Sequence, residues 1–363
     1  MRVRRDIMKR VLVTGGAGYV GHRLVPRLLD AGYAVVVYDA MYFPNRLKWQ
    51  PNLTVVEGDI RDTKRLAEWF PVCHDVIHLA CISNDPSFEL DESLSRTINF
   101  ECFEPMVIAA KQAGIERFIY ASTSSVYGIS DSPNVTEDHP LVPITLYNKY
   151  KGMCEPLLLK HCGDGFVGTV LRPSTICGYS ERQRLDLAVN ILTNLAYSTG
   201  KIIVHGGAQM RPNLHIEDMV DCYLCMLKAP YLVIQRETFN VGQRNYTIME
   251  LAVIVAGVVQ EEFPFLGSIQ IERTTTVDAR SYQVNSDKIK RVLDFEPKRT
   301  IEDAIRDLCD AFKAGKLPDS MTDDRYVNVA RMHKVWADVY KNASGSAFDP
   351  TKGHLSEIDV MHR

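Results

Sequence analysis

The chain has 363 residues, 46% of them hydrophobic, enough apolar material for one large or two closely joined domains. A net charge of −3 and a pI near 6.4, with no long basic block or acidic tail, exclude nucleic acid and an anionic membrane as the expected partner and point to a small-molecule ligand. The longest apolar run, residues 251–259, is short of the ~18 residues that a membrane-spanning helix needs, and nine scattered cysteines fit reduced thiols better than a disulfide framework, so a cytoplasmic location is expected.

Residues 1–9 are basic with no hydrophobic region behind them and read as a frayed leader. Residues 10–13 are an apolar strand that runs into Thr14-Gly15-Gly16-Ala17-Gly18-Tyr19-Val20-Gly21 and then into a helix over 21–31. Each glycine at 15, 18 and 21 has a physical reason: a tight turn, close backbone approach to a pyrophosphate, and close helix-to-strand packing, with the helix N-terminus facing the phosphates. Asp39 ends the next strand, 34–38. A carboxylate there accepts hydrogen bonds from a ribose 2′-hydroxyl and repels a 2′-phosphate, which favours NAD over NADP. After a third strand over 53–57 comes Gly58-Asp59-Ile60, where a side chain can reach the adenine; a helix cap is the alternative for Asp59.

Further strands are expected over 76–79, 118–121 and 167–171, with amphipathic helical segments over 63–69, 98–113 and 146–161. This alternation predicts an α/β fold, with a Rossmann-type doubly wound parallel sheet over 9–180 and a smaller mixed α/β substrate domain over 181–320. A later segment, about 212–246, is expected to return to the first domain, and the polar residues 321–363 read as a C-terminal arm or tail. Cys222 and Cys225 form a lone CxxC in a helical stretch and read as packing residues, not as a metal or redox site.

Tyr147 and Lys151 are four apart, which places them on one helix face with the ammonium beside the phenol. A nearby cation favours the ionised phenol, so Tyr147 is a candidate base that also adjoins the cofactor. A phenol that titrates near ~10 in water needs roughly 4 kcal/mol of differential stabilisation to work near neutrality.

Taken together, these residues resemble the extended short-chain dehydrogenase/reductase family, specifically its nucleotide-sugar epimerases and dehydratases, over roughly residues 9–310. The matching motifs are the glycine turn, Gly58-Asp59, His78-Leu79-Ala80, Asn99, Ala121-Ser122-Thr123-Ser124-Ser125-Val126-Tyr127-Gly128, Tyr147 and Lys151 with Glu155, Leu171-Arg172-Pro173, the stretch 211–218, and Phe239-Asn240-Val241-Gly242. The resemblance implies that Thr123, with Ser124, hydrogen-bonds the reacting oxygen, that Tyr147 moves its proton, and that Lys151 holds the nicotinamide ribose. It also assigns Tyr19, Val20, Ile60, Leu79, Ala80 and Asn99 to the cofactor.

Dehydratases of that family place Asp then Glu after the position of Thr123, where this chain has Ser124 and Ser125. The resemblance therefore implies epimerisation of a nucleotide-diphosphate sugar at C4. A 4-dehydrogenase or 4-keto reductase is the alternative, and a 3,5-epimerase would need an acid and a base such as Cys81 and Cys177. A non-catalytic NAD-binding sensor or scaffold is the alternative of another class, and the intact Thr123, Tyr147 and Lys151 set weighs against it. On the sugar side, Ser83 and Asn84 lie in a loop near the nicotinamide, Thr175 replaces an asparagine that contacts the diphosphate, and Arg211 and Arg280 resemble its two clamps. Guanidinium forks suit that task. A homodimer through the helices 98–113 and 146–161 is also implied.

Overall fold

Side-chain alternation along the first two strands decides the architecture. In β1 (Arg10–Thr14), Val11 and Val13 join one apolar layer and Leu12 the opposite one; in β2 (Ala34–Asp39), Val35 and Val37 join the first layer, Val36 and Tyr38 the second. Strands buried on both faces are the condition for a parallel sheet covered by helices. The computed structural model describes residues 8–275 and 281–344.

The remaining strands are β3 (Leu53–Glu57), β4 (Asp75–His78), β5 (Arg117–Ala121), β6 (Val167–Pro173), β7 (Thr175–Cys177), β8 (Lys201–His205), β9 (Met210–His215), β10 (Thr238–Val241), β11 (Arg244–Thr247) and β12 (Gln270–Thr274). Seven of them form one parallel sheet in the order β3-β2-β1-β4-β5-β6-β10. All six strands read from the sequence are in it, and β10 brings the later segment back to its edge. Helices Gly21–Asp30 and Ile216–Lys228 cover one face; Phe103–Gln112 and Leu146–Leu159 cover the other.

The helix expected over 98–113 is interrupted. A wide turn, Thr97–Glu101, precedes Phe103–Gln112, with Cys102 N donating to Thr97 O over 3.2 Å. A second layer holds β11-β9-β7, the pair β12-β8, and helices Ala188–Thr199, Ile248–Glu262 and Ile301–Lys313, the last two started by Thr/Glu and Thr/Asp capping boxes.

The segment expected to be an arm or tail differs most. Residues Asn328–Ser344 form a helix that returns to the seven-stranded sheet, on the face where Met332 and the fully buried Trp336 pack with Tyr38 and Phe88. Two apolar residues one turn apart supply a face that a polar average conceals. Among the described residues, no helix is long and apolar enough to cross a membrane.

Candidate active site

Strand order reverses between β1 and β4, and in doubly wound sheets ligands bind in the crevice at such a switch point. Here the turn after β1 presses on the loop after β4. Gly15 has φ +73°, and a Cβ on it would lie 2.6 Å from Ala80 N; a Cβ on Gly21 would lie 2.2 Å from Gly16 O. No side chain fits at either position, so the backbone of the turn and the start of helix Gly21–Asp30 stay open to a pyrophosphate.

Asp39 accepts hydrogen bonds from Ala17 N and Met41 N, 2.9 Å each, one on each carboxylate oxygen. This fixes the carboxylate at the mouth of the turn and leaves a lone pair on each oxygen for ribose hydroxyls. Burial raises its pKa, and the two N–H groups oppose that rise. Gly18, Tyr19, Val20, Ile60, Leu79 and Ala80 line the same cleft. The cradle, the carboxylate and the apolar floor fit NAD.

Two cofactor assignments change in detail. Asp59 lines the cleft but caps nothing: Asp62 accepts from Arg65 N at the helix start, while Asp59 pairs with Arg61 at 2.6 Å. Asn99 does not line the cleft. Its amide accepts from Ile82 N over 2.8 Å and donates to Ile82 O over 3.0 Å, so it holds the β4 loop from behind.

Thr123, Ser124, Tyr147 and Lys151 converge on that cleft. Thr123 Oγ1 accepts from Ser125 N over 3.1 Å and keeps its own hydrogen to donate; the buried Ser124 Oγ has no hydrogen-bond partner among the described residues. Thr145 starts the helix that carries Tyr147, accepting from Asn148 N and donating to Asp85 Oδ1 over 2.6 Å. Burial pushes the Tyr147 phenol well above its ordinary range; Cys81 and Asp85 push the same way and Arg184 opposes them. Lys151, one turn along the helix, donates from Nζ to Ala121 O and lies 4.6 Å from the centre of the Tyr120 ring.

Behind these groups a buried network explains several matched motifs. Ser122 Oγ donates to Glu155 Oε1 over 2.6 Å, Arg172 grips Glu155 through Nε and Nη2 at 3.0 and 2.6 Å, and Arg172 Nη1 donates to Tyr127 OH, which donates to Asn240 Oδ1. These residues tie β5, β6, β10 and the Tyr147 helix together and leave the surface of the cleft to Thr123, Ser124 and Tyr147.

On the other side, Ser83, Asn84, Thr175 and Arg211 line the cleft, and Arg280 lies outside the described residues. Asn84 sits at φ 152°, accepts from Ser87 N and donates to Asp186 Oδ2 over 3.2 Å. Sequence reasoning missed Arg182, Arg184, Asp186 and Asn328, which also line it. Charges at alternating positions 182, 184 and 186, just before the apolar residues 187–189, were the available signal. Cys81 lines the cleft, but Cys177 is fully buried and does not, its thiol pushed upward by desolvation, so the two facing thiols of a 3,5-epimerase are not assembled. At about 1550 Å³ the cleft exceeds the roughly 300–1,000 Å³ of a site for one small ligand.

The model of the NAD dependent epimerase/dehydratase family matches residues 11–242. The UDP-glucose 4-epimerase of Lactobacillus helveticus is 28% identical over 327 residues, covering 82% of this chain and 94% of that protein. The 3 beta-hydroxysteroid dehydrogenase/Delta 5→4-isomerase of Mycobacterium tuberculosis is 34% identical over 234 residues, covering 62% of this chain and 61% of that protein. Among solved structures, MoeE5 in complex with UDP-glucuronic acid and NAD is similar with a TM-score of 0.72 at 25% identity, covering 84% of this chain and 99% of that one.

Proposed function

Because the chain belongs to the NAD-dependent epimerase/dehydratase family, we propose that it epimerises a nucleoside-diphosphate hexose at C4 through a transient 4-keto sugar. The observation that carries this reading is the convergence of Thr123, Tyr147 and Lys151 on the cleft that holds the glycine turn and Asp39. NAD, held by the glycine turn and Asp39, would supply the acceptor for a hydride from the sugar carbon and the donor for its return.

The substrate hydroxyl sits between Thr123 Oγ1 and the Tyr147 phenol. Tyr147 takes the hydroxyl proton as the carbon is oxidised and gives it back on reduction, while Thr123 and Ser124 donate hydrogen bonds to the carbonyl oxygen. Lys151 orients the nicotinamide ribose. Inversion needs reduction on the opposite face of the ketone, and a cleft of about 1550 Å³ gives the sugar room to turn. Loss of water across C5 and C6 would need an acid and a base beside Thr123, and the serines there supply neither; Ser125 Oγ is paired with Tyr282 OH at 2.9 Å. Arg211 and Arg280 clamp the substrate diphosphate, with Thr175, Ser83 and Asn84 shaping the sugar end. The protein works as a cytoplasmic homodimer; Ile108 and Met153, 37% and 39% exposed on the two helices of the expected contact, support that surface.

A net 4-dehydrogenase or 4-keto reductase is the second reading, favoured by the match to a hydroxysteroid dehydrogenase. Proton NMR of the purified protein in heavy water, without added nicotinamide, against UDP-, GDP-, CDP- and dTDP-hexoses separates them. A second sugar nucleotide free of deuterium supports C4 epimerisation. Turnover only after NAD or NADH is supplied establishes the second reading, and deuterium at C3 or C5 overturns both.

A further inference from the structure

Arg182 lines the cleft and makes no ion pair among the described residues. It is 6% exposed, and its Nε and Nη1 have no hydrogen-bond partner among the described residues. Its neighbour Arg184 is matched to Asp186 through two bonds of 2.9 and 3.2 Å. Arg182 instead lies 3.5 Å over the Phe43 ring, and its single bond, 2.6 Å from Nη2, goes to the neutral Asn328 Oδ1. A buried guanidinium with unmatched N–H groups is costly unless an anion joins it. Burial and the neighbouring Arg184 push its pKa down to about 9, with Asp186 and Asp39 opposing.

Its position selects the anion. The loop that carries Arg182 is fastened to the glycine turn: Ser180 Oγ donates to Tyr19 O over 2.7 Å, and Tyr19 OH donates to Gly178 O over 2.6 Å. Phe43 follows Asp39 at the end of β2, so Arg182 stands at the Asp39 end of the cleft, beside the glycine turn. Backbone N–H groups at a helix start offer only about half a unit of positive charge, against two negative phosphates. Asn328 is held in turn by donation from Nδ2 to Ser83 Oγ over 2.9 Å and to Ser83 O over 3.2 Å, and by donation of its N–H to Asp186 Oδ2 over 3.0 Å.

We infer that Arg182, held in place by Asn328, is the cation that neutralises the cofactor pyrophosphate, so that the helix Asn328–Ser344 is a working part of the NAD site. This rests on NAD occupying the cleft and is independent of which sugar is the substrate.

The test uses the full chain stripped of nucleotide and titrated by calorimetry with NAD, ADP and adenosine, together with Arg182→Gln and Asn328→Ala, each checked by circular dichroism. Arg182→Gln is expected to weaken NAD and ADP about tenfold to a hundredfold, the range for losing charge-assisted hydrogen bonds, and to leave adenosine unchanged. Asn328→Ala is expected to shift the same two ligands by a smaller factor. Unchanged NAD affinity in Arg182→Gln, or an equal loss for adenosine, overturns the proposal while the NAD site stands. A wild-type chain that binds no NAD overturns both.

Discussion

The Lys151 ammonium is held by the carbonyl oxygen of Ala121, one helical turn from the phenol it was expected to activate. Burial holds the Tyr147 phenol well above its ordinary range, so it is the neutral form near pH 7. Tyr147→Phe is expected to lower kcat by about 10²- to 10⁴-fold while NAD still binds, measured by product NMR and calorimetry. Because burial raises the phenol, the base form is scarce at neutral pH, and kcat/KM is expected to rise with pH above 7. A wild-type profile flat from pH 7 to 9 would argue against Tyr147 as the base.

The Asp39 carboxylate is fixed by two backbone N–H groups. In Asp39→Asn the new amide must turn an N–H toward Ala17 or Met41, and the negative charge that repels a 2′-phosphate disappears. NAD affinity is expected to fall about tenfold, the loss of one charge-assisted hydrogen bond, while NADP affinity holds or improves. Paired titrations with the two nucleotides check the ratio.

Glu155 and Arg172 are 4% and 7% exposed and bound through two prongs. Removing one member of a buried pair leaves a bare charge, so Glu155→Ala is expected to lower stability by about 3–5 kcal/mol. Urea denaturation reads this directly. A change under 1 kcal/mol would mean that water reaches Arg172 and replaces the carboxylate.

His78 is buried with its Nδ1 2.7 Å from Thr14 Oγ1, and burial, helped by Lys151, holds the imidazole down to about 3. The unfolded chain binds that proton near ~6.5, so the unfolded state carries more protons between the two values. The contribution is fully present above pH 6.5 and is lost as pH falls toward 3, roughly 5 kcal/mol over the whole range. Unfolding free energy is expected to drop from pH 7 to pH 4 in the wild type, with a shallower slope in His78→Asn.

The sheet was legible because parallel strands covered on both faces, such as Val11 to Val13 and Val35 to Val37, leave unbroken apolar runs in sequence. The reacting groups were legible because Tyr147 and Lys151 sit on one helix and the glycine turn is local. What escaped notice is non-local. Arg182 meets Asn328 across 146 positions, and nothing near either residue announces the other. Likewise, the partners of Asn99 and Lys151 are backbone atoms of other segments, which carry no side-chain signature.

The bonds between Asn328 and Ser83 join residues 245 apart. Long-range contacts form late, since chain entropy is lost before they return any free energy. The glycine turn and β2 lie within the first 39 residues, but part of their cover, Met332 and Trp336 beside Tyr38, arrives with the helix Asn328–Ser344. We expect refolding to show sheet signal ahead of Trp336 burial; simultaneous appearance would refute that order. The last step in the maturation of the cleft is then set by the far end of the polypeptide and not by the motif that advertises it.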